Sequence, residues 1–250
     1  MLILALDTTT RGGSCALARE DLVLCEAEGD PLAAQSSQLP GELMRLLDRA
    51  GVSLPEIDAY AVATGPGSFT GLRIGIATMQ GLALATRRPL VGVSAFDALA
   101  RIACDGPAAS LVGAAAVDGV AEEPSVHTWV AAWRGEVYAA RYEGAREVAL
   151  PVVATPEALL SLMGEPGEVR GAQASAAALF IGNGAATYRE LILATVGRRA
   201  RVAEPATPAL AGAIARLAWG EIRAGRRPPP HAVRPVYVRR PDVELKRERP

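Results

Sequence analysis

The loop Gly65–Gly71 contains three glycines, a serine and a threonine, which are residue types that could bind a phosphate or react with an acyl group. The loop does not match a nucleotide-binding Walker loop, because no lysine follows it and its glycine spacing differs. It does not match a nucleophile elbow either, because Ser68 has Pro66 and Thr70 where that turn needs glycines. Two interpretations stay open. Either the helix that follows the loop accepts an anion at its N-terminus, or the glycines only allow close approach of the backbone. The second interpretation is the favoured one.

Histidine and cysteine, which often act as catalytic bases and metal ligands, are scarce in this chain. The two histidines, His127 and His231, have no companion at metal-binding spacing. The three cysteines, at positions 15, 25 and 104, are odd in number and also lack such spacing, which favours reduced thiols in a cytoplasmic protein. The sequence therefore predicts no catalytic residue, no metal site and no histidine-centred triad.

A second candidate site is formed by Asp7, Thr8, Thr9 and Thr10, which follow an apolar run at the start of the chain. The segment resembles the first phosphate loop of the actin, hexokinase and heat-shock ATPase superfamily. This resemblance implies an aspartate that orients a metal-bound water and a turn that contacts nucleotide phosphates. The alternative is that Asp7 ends a strand and the threonines bond within their own turn. We expect a vestigial nucleotide loop.

Hydrophobic periodicity predicts the elements that hold these residues. In the first part of the chain the pattern predicts strands over 2–7, 14–19, 22–28, 59–64 and 90–93, and helices over 38–50, 71–86 and 94–104. Their order describes an antiparallel meander that continues into right-handed parallel crossovers. The fold class is therefore a mixed α/β layer architecture.

The second half of the chain repeats this mixture more loosely. The pattern predicts strands over 111–117, 126–133, 136–142 and up to residue 181, and helices over 155–163, over 186–195 and from residue 207. We divide the chain into a first lobe, 1–106, a second lobe, 107–222, and a tail, 223–250, that is rich in proline and arginine and either packs back or is mobile. The tail carries a net charge of +6, from nine basic and three acidic residues.

The helix predicted over 71–86 is apolar around nearly its whole circumference. Its next charge after Arg73 is Arg87, so one face can pack on the sheet while the other needs a cover. We interpret this helix and the amphipathic helix 38–50 as a partner-binding surface. The alternative is that the second lobe covers the helix. The residues assigned to the interface are Leu39, Leu43, Leu46, Leu47, Ile74, Gly75, Thr78, Gly81, Leu82 and Ala85.

Composition limits the classes of function that are open to the chain. Its 250 residues are 50% hydrophobic and 4% aromatic, enough for a globular core of aliphatic side chains. Its 26 basic residues nearly cancel its 27 acidic residues, which excludes a globally basic nucleic-acid coat. No segment approaches the roughly 20 apolar residues of a membrane span.

Six segments together resemble the TsaB (YeaZ) family, which takes part in forming threonylcarbamoyladenosine in tRNA. They are residues 4–10, 63–75, 81–85, 90–94, 134–138 and 236–240. The resemblance implies an actin-like ATPase (ribonuclease H-like) fold of two lobes, each a mixed sheet flanked by helices. It also implies a non-catalytic scaffold that forms a homodimer or pairs with a TsaD-like catalytic subunit, with a TsaE-like ATPase as a further partner. In this family the contact uses first-lobe helices, here residues near 38–50 and 71–86.

Departures from the family pattern argue against catalysis by this chain itself. The chain lacks the His-x-x-x-His metal motif of TsaD-like proteins, and it has Ser36 and Ser37 where the family often has His-Ser. Ala131 stands where an aspartate is expected, and the segment 105–125 is longer than expected. Glycoprotease chemistry has no nucleophile and base to support it.

Three hypotheses for function follow. The leading one is a scaffold subunit in tRNA modification, with tRNA bound only through the complex and with neither ATP nor Mg²⁺ expected on the isolated protein. The second is an ATP-dependent phosphotransferase or hydrolase that uses Asp7 and Thr8–Thr10. The third is direct tRNA binding by arginines of the basic tail, for which a solvated terminus is the alternative.

Overall fold

The structure, a computed structural model, describes residues 1–30, 35–106, 125–163 and 177–238. The described residues divide into two compact units. The first unit comprises Met1–Ala98 and Ala209–Tyr237, and the second is built from the described part of Leu99–Pro208. The strand predicted over 111–117 and the end of the basic tail lie outside the described residues.

The first unit is built on a five-stranded mixed sheet. Its strands are β1 (Leu2–Asp7), β2 (Ser14–Arg19), β3 (Leu22–Glu28), β4 (Ala59–Gly65) and β5 (Leu90–Ser94). The strand order is β3-β2-β1-β4-β5, with the first three antiparallel and the last two parallel to β1. The predicted meander and crossovers are confirmed, and the buried apolar strands β1 and β4 lie next to each other.

Helices cover both faces of this sheet, because its strands present apolar side chains on both faces. The side chains on one face are mainly large, and those on the other are mainly small. The helices α1 (Gln35–Ala50) and α2 (Phe69–Thr86) share a core with leucines such as Leu4, Leu6 and Leu17. On the other face the same strands present mainly alanines, including Ala5 and Ala16. A late helix, Ala211–Arg223, packs there against β1 and β2. The helix α3 (Ala95–Asp105) follows β5.

The late helix shows where sequence-based boundaries and structure differ. The sequence pattern predicts that 107–222 form the second lobe and 223–250 a tail, whereas in the structure residues 209–237 belong to the first unit. The difference arises because the chain returns to the first sheet after residue 208. The described part of the tail packs back on that unit, since the backbone N–H of Val236 donates to the carbonyl of Thr64 at 2.8 Å.

The start of the late helix is set by contacts that are distant in sequence. The helix begins at Ala211 rather than at Thr207. Side chains of β2 and β3 accept hydrogen bonds from the backbone N–H groups at its start. Ser14 Oγ accepts hydrogen bonds from the N–H groups of Leu210 and Ala211 at 3.1 and 3.0 Å. Glu26 Oε1 accepts one from the N–H of Gly212 at 2.7 Å. Local capping signals could not predict this start.

The second unit repeats the plan with another five-stranded mixed sheet. Its elements are β6 (Ser125–Ala131), β7 (Val137–Glu143), β8 (Arg146–Ala154), α4 (Pro156–Ser161), β9 (Ala178–Ile181), α5 (Asn183–Thr187), α6 (Arg189–Val196) and β10 (Ala200–Val202). The order is β10-β9-β6-β7-β8. We number the late helix Ala211–Arg223 as α7. Two mixed sheets flanked by helices confirm the expected α/β class.

Two edge strands of the second unit were not predicted, and one predicted helix is divided. The strand β8 contains Pro151, and its Leu150 is 86% exposed, so it lacks the pattern of a half-buried strand. The strand β10 has only three residues. The helix expected over 186–195 is two short helices, α5 and α6, with a break at Tyr188. Among the described helices, none is both long and apolar enough to cross a bilayer.

Candidate functional site

The Asp7 turn lies at the carboxyl end of β1 and is closed to solvent. Asp7 and Thr8 are each 1% exposed, and Thr9 is 4% exposed. Asp7 Oδ1 accepts a hydrogen bond from the backbone N–H of Thr9 at 2.8 Å, so the carboxylate caps its own turn. Thr10 is half-buried, and its Oγ1 accepts from the N–H of Gly13 at 3.2 Å. This arrangement is that of a strand end followed by a self-bonded turn.

Glycines of the Gly65–Gly71 loop and of α2 close over this turn. A Cβ on Gly67 would lie 2.5 Å from Thr9 Cβ, and a Cβ on Gly75 would lie 2.2 Å from Thr8 Oγ1. The backbone N–H of Ser68 also donates to the carbonyl of Thr9 at 2.8 Å. Of the two interpretations of the loop, this geometry agrees with close backbone approach. A side chain would not fit at either position, which explains why Gly67 and Gly75 are glycines.

The chemistry of the Asp7 turn does not fit a magnesium–nucleotide complex in this geometry. Burial raises the pKa of Asp7 to about 6, against the opposing hydrogen bonds from Thr9 and with a further rise from Glu26. The hydroxyl of Thr8 is buried without a hydrogen-bond partner among the described residues. A closed, partly protonated carboxyl group is a poor ligand for a metal ion. Across the described ranges, no group of three His, Cys, Asp or Glu residues could hold a metal ion.

A serine–histidine contact in the second unit was not expected from the sequence. The Oγ of Ser125 lies 3.0 Å from Nε2 of His127, and the imidazole stacks on Phe180 with ring centres 4.9 Å apart. Burial and, to a lesser extent, the cation of Arg141 lower the pKa of His127 to about 4. The charged group that acts on this histidine is a cation, Arg141, whereas a catalytic triad uses a carboxylate to orient its histidine. The pair is therefore a core contact of a neutral histidine.

The outer face of α2 is exposed and almost uncharged. We call its exposed residues the α2 stripe: Phe69, Thr70, Arg73, Ala77, Gly81, Leu84 and Ala85. These residues recur at helical spacing along the whole helix. Leu84 is 60% exposed, and a Cβ on Gly81 would meet no atom within 4 Å. Arg73 is the only charged residue of the helix.

The structure separates the predicted interface residues into buried and accessible groups. Four of them belong to α1, are at most 4% exposed and lie in the core of the first unit: Leu39, Leu43, Leu46 and Leu47. The four leucines are core residues rather than surface residues of an interface, because α1 is amphipathic and turns its apolar side toward the sheet. On this helix, Met44 is an apolar side chain that stays 50% exposed.

The predicted residues of α2 divide in the same way. Gly75 is buried against Thr8. Ile74, Thr78 and Leu82 are half-buried at the border of the stripe, and Gly81 and Ala85 are exposed. Five exposed residues of the stripe were not predicted, which are Phe69, Thr70, Arg73, Ala77 and Leu84. Their signal was Arg73, which as the only charge marks the outer face of the helix, and the helical spacing of the other four from it.

The chain matches known proteins along most of its length. It matches the model of the family described as TsaD, tRNA N6-adenosine threonylcarbamoyltransferase, over residues 33–245. It is 39% identical over 143 residues to the tRNA threonylcarbamoyladenosine biosynthesis protein TsaB of Escherichia coli. That alignment covers 57% of this chain and 55% of the E. coli protein, so it spans about half the length of this relative.

Solved structures support the same relationship. YeaZ from Pseudomonas aeruginosa aligns with a TM-score of 0.70 at 28% identity, over 94% of this chain and 99% of that chain. The activator of 2-hydroxyisocaproyl-CoA dehydratase from Clostridium difficile, with bound ADPNP, aligns with a TM-score of 0.52 at 10% identity, over 90% and 97% of the two chains. The second likeness shows the fold alone. The expected resemblance to the TsaB (YeaZ) family and the actin-like ATPase fold are both confirmed.

Proposed function

Since the chain belongs to the TsaD family of tRNA N6-adenosine threonylcarbamoyltransferases, we propose that it takes part in forming threonylcarbamoyladenosine in tRNA. Its similarity to the E. coli protein TsaB, a biosynthesis protein for this nucleoside, supports the proposal. Within that process the chain acts as a non-catalytic scaffold. It forms a homodimer, and it exchanges the same surface for a TsaD-type catalytic subunit.

The observation that carries the scaffold role is the exposed α2 stripe. Small residues at Ala77, Gly81 and Ala85 let a second helix approach closely, and Leu84 supplies apolar area for burial. A helix face that packs against its own copy forms a two-fold symmetric contact, which closes at a dimer. A related subunit with a similar face can replace one copy. A TsaE-type ATPase and tRNA then join the assembled complex rather than this chain alone.

The buried Asp7 turn supports a role without nucleotide chemistry. Asp7 and Thr8 are 1% exposed, so Mg²⁺ and ATP are not bound by the isolated chain. Calorimetric titration with Mg-ATP should give no binding heat. Micromolar binding that is lost in Asp7→Ala would contradict this proposal and restore the phosphotransferase or hydrolase hypothesis.

A charged residue near the C-terminal end of the α2 stripe tests the scaffold role. Leu84→Arg should abolish co-purification with the TsaD-type subunit, because a buried unpaired cation opposes helix packing. The amount of threonylcarbamoyladenosine in tRNA should fall as a consequence. The matched control is Leu150→Arg, since Leu150 is 86% exposed on β8 of the second unit. If Leu84→Arg retains both the complex and the modified nucleoside, the interface has been assigned to the wrong surface.

A further inference from the structure

A cluster of three side chains lies at the N-terminal end of the α2 stripe. The guanidinium of Arg73 lies 3.9 Å from the ring centre of Phe69. The Nε–H of Arg73 donates to the hydroxyl of Tyr237 at 3.3 Å, and the two aromatic rings lie 5.4 Å apart. Phe69 and Tyr237 are each 40% exposed. We call these residues the aromatic–arginine cluster.

The segment that supplies the tyrosine is fastened to the first unit. The side-chain amide of Gln80 donates to the carbonyls of Pro230 and Val233 at 3.0 and 2.9 Å. Val233 is 6% exposed within the core, and the N–H of Val236 donates to the carbonyl of Thr64 at 2.8 Å. The segment that ends at Tyr237 is therefore a fixed border of the α2 stripe.

The cluster holds Arg73 in one geometry before any partner binds. Phe69 covers the face of the guanidinium, where a cation over an aromatic ring is stabilised. The hydroxyl of Tyr237 accepts a hydrogen bond from one of the five N–H groups of Arg73. Within the described residues, Arg73 forms no ion pair, and α2 contains no acidic residue. An ordered arginine without an acid is prepared to bind a carboxylate, since little side-chain entropy is then lost on binding.

We infer that the aromatic–arginine cluster selects the TsaD-type subunit over a second copy of this chain, by accepting a carboxylate from the partner's docking helix. The inference rests on the function proposed above. A second copy would present its own α2 stripe, whose single charge is another Arg73. That stripe offers the cluster no carboxylate, so the cluster adds nothing to the pairing of two copies. The cluster therefore adds affinity when the docking helix of the partner carries an acidic residue at this end.

Three substitutions separate the contributions of charge, fork geometry and positioning. Arg73→Gln removes the cation and should weaken binding of the TsaD-type subunit about tenfold, as expected for an interface residue that contributes more than about 1 kcal/mol. Arg73→Lys keeps the charge but loses the bidentate fork, so an intermediate loss is expected. Tyr237→Phe keeps the ring and removes the hydroxyl that holds Arg73, with an expected loss of about threefold. Arg223→Gln, at an exposed arginine in the last turn of α7, is the matched control and should bind like the wild type.

The measurements are the Kd of the heteromeric complex by titration at low and moderate salt, and the Kd of the homodimer by sedimentation equilibrium. For Arg73→Gln we expect the homodimer Kd to stay within about twofold, and the salt dependence of the heteromer Kd to become shallower. Equal weakening of both assemblies would overturn the selectivity assigned to the cluster. If Leu84→Arg prevents binding while Arg73→Gln and Tyr237→Phe bind like the wild type, this inference fails and the proposed function stands. If Leu84→Arg itself binds normally, the proposed function fails.

Discussion

At the scale of single residues, Asp7 shows that the same side chain can serve a phosphate loop or cap its own turn. Only its surroundings in the fold distinguish the two roles. In the sequence, an aspartate and three threonines after a buried strand fit both a phosphate loop and a self-bonded turn. In the structure the carboxylate accepts the N–H of Thr9 and is 1% exposed. The pattern could not decide between these readings, because burial of the turn depends on Gly67 and Gly75, which lie about sixty residues later.

Asp7→Asn should change how stability depends on pH. The pKa of Asp7 is about 6 in the folded protein, against an ordinary value of 3.8 for an aspartate that is exposed to water. Between those values the folded protein keeps a proton that the unfolded chain releases, so the free energy of unfolding falls as pH rises, by up to about 3 kcal/mol. The asparagine retains an oxygen for the N–H of Thr9 and does not ionise. Chemical unfolding should therefore find the variant more stable than the wild type at pH 7.5 and closer to it at pH 4.5.

The comparison of the two proteins also removes the contribution of His127. The pKa of His127 is lowered to about 4 by burial and by Arg141. This histidine gives stability that is lost as pH falls below its unfolded value, which is opposite in sign to the effect of Asp7. Both proteins share His127, so the difference between them reports Asp7 alone. Parallel pH profiles for Asp7→Asn and the wild type would show that Asp7 is not buried as described.

Two glycines of α2 form a matched pair for testing the packing over the Asp7 turn. Gly75→Ala would place a Cβ 2.2 Å from Thr8 Oγ1, and we expect it to lower the free energy of unfolding by about 1–3 kcal/mol. Gly81→Ala meets no atom within 4 Å and should raise that free energy by about 0.5–1 kcal/mol, since alanine favours helix. Denaturant unfolding of both variants measures the difference. A stable Gly75→Ala protein would contradict the close contact between α2 and the turn.

At the scale of elements, the contrast between α1 and α2 shows what hydrophobic patterning can and cannot reveal. Both helices were predicted, but the pattern alone did not tell a core-facing stripe from a partner-facing one. The leucines of α1, such as Leu43 and Leu46, are core residues because an amphipathic helix has only one apolar side to bury. The apolar residues of α2 exceed what one sheet can cover, and Leu84 is left 60% exposed.

The start of α7 depends on Glu26, and a neighbouring glutamate supplies the control. Glu26→Ala removes the acceptor of the Gly212 N–H and should lower the free energy of unfolding by about 1–2 kcal/mol, as loss of a helix cap does. Glu28→Ala changes an exposed glutamate of the same strand, with an expected change below about 0.5 kcal/mol. Equal stability of the two variants, measured by thermal unfolding, would show that the cap does not stabilise α7.

At the scale of the whole molecule, the sequence predicted the fold more completely than the division of the chain. Local periodicity and the family resemblance together predicted two mixed sheets, and both were confirmed. The return of residues 209–237 to the first unit was missed, because a helix such as α7 carries no mark of which sheet it will cover. The aromatic–arginine cluster was missed for the same reason, since Arg73 and Tyr237 lie 164 positions apart.

The mass of the protein in solution, alone and in an equimolar mixture with the TsaD-type subunit, tests the central claim most directly. The claim is that the α2 stripe binds a second chain. Sedimentation equilibrium should find twice the chain mass of 26.0 kDa for the protein alone. In the mixture it should find a complex of one chain of each kind, with the homodimer depleted. A protein that stays at 26.0 kDa alone and does not combine with the second subunit would contradict the account.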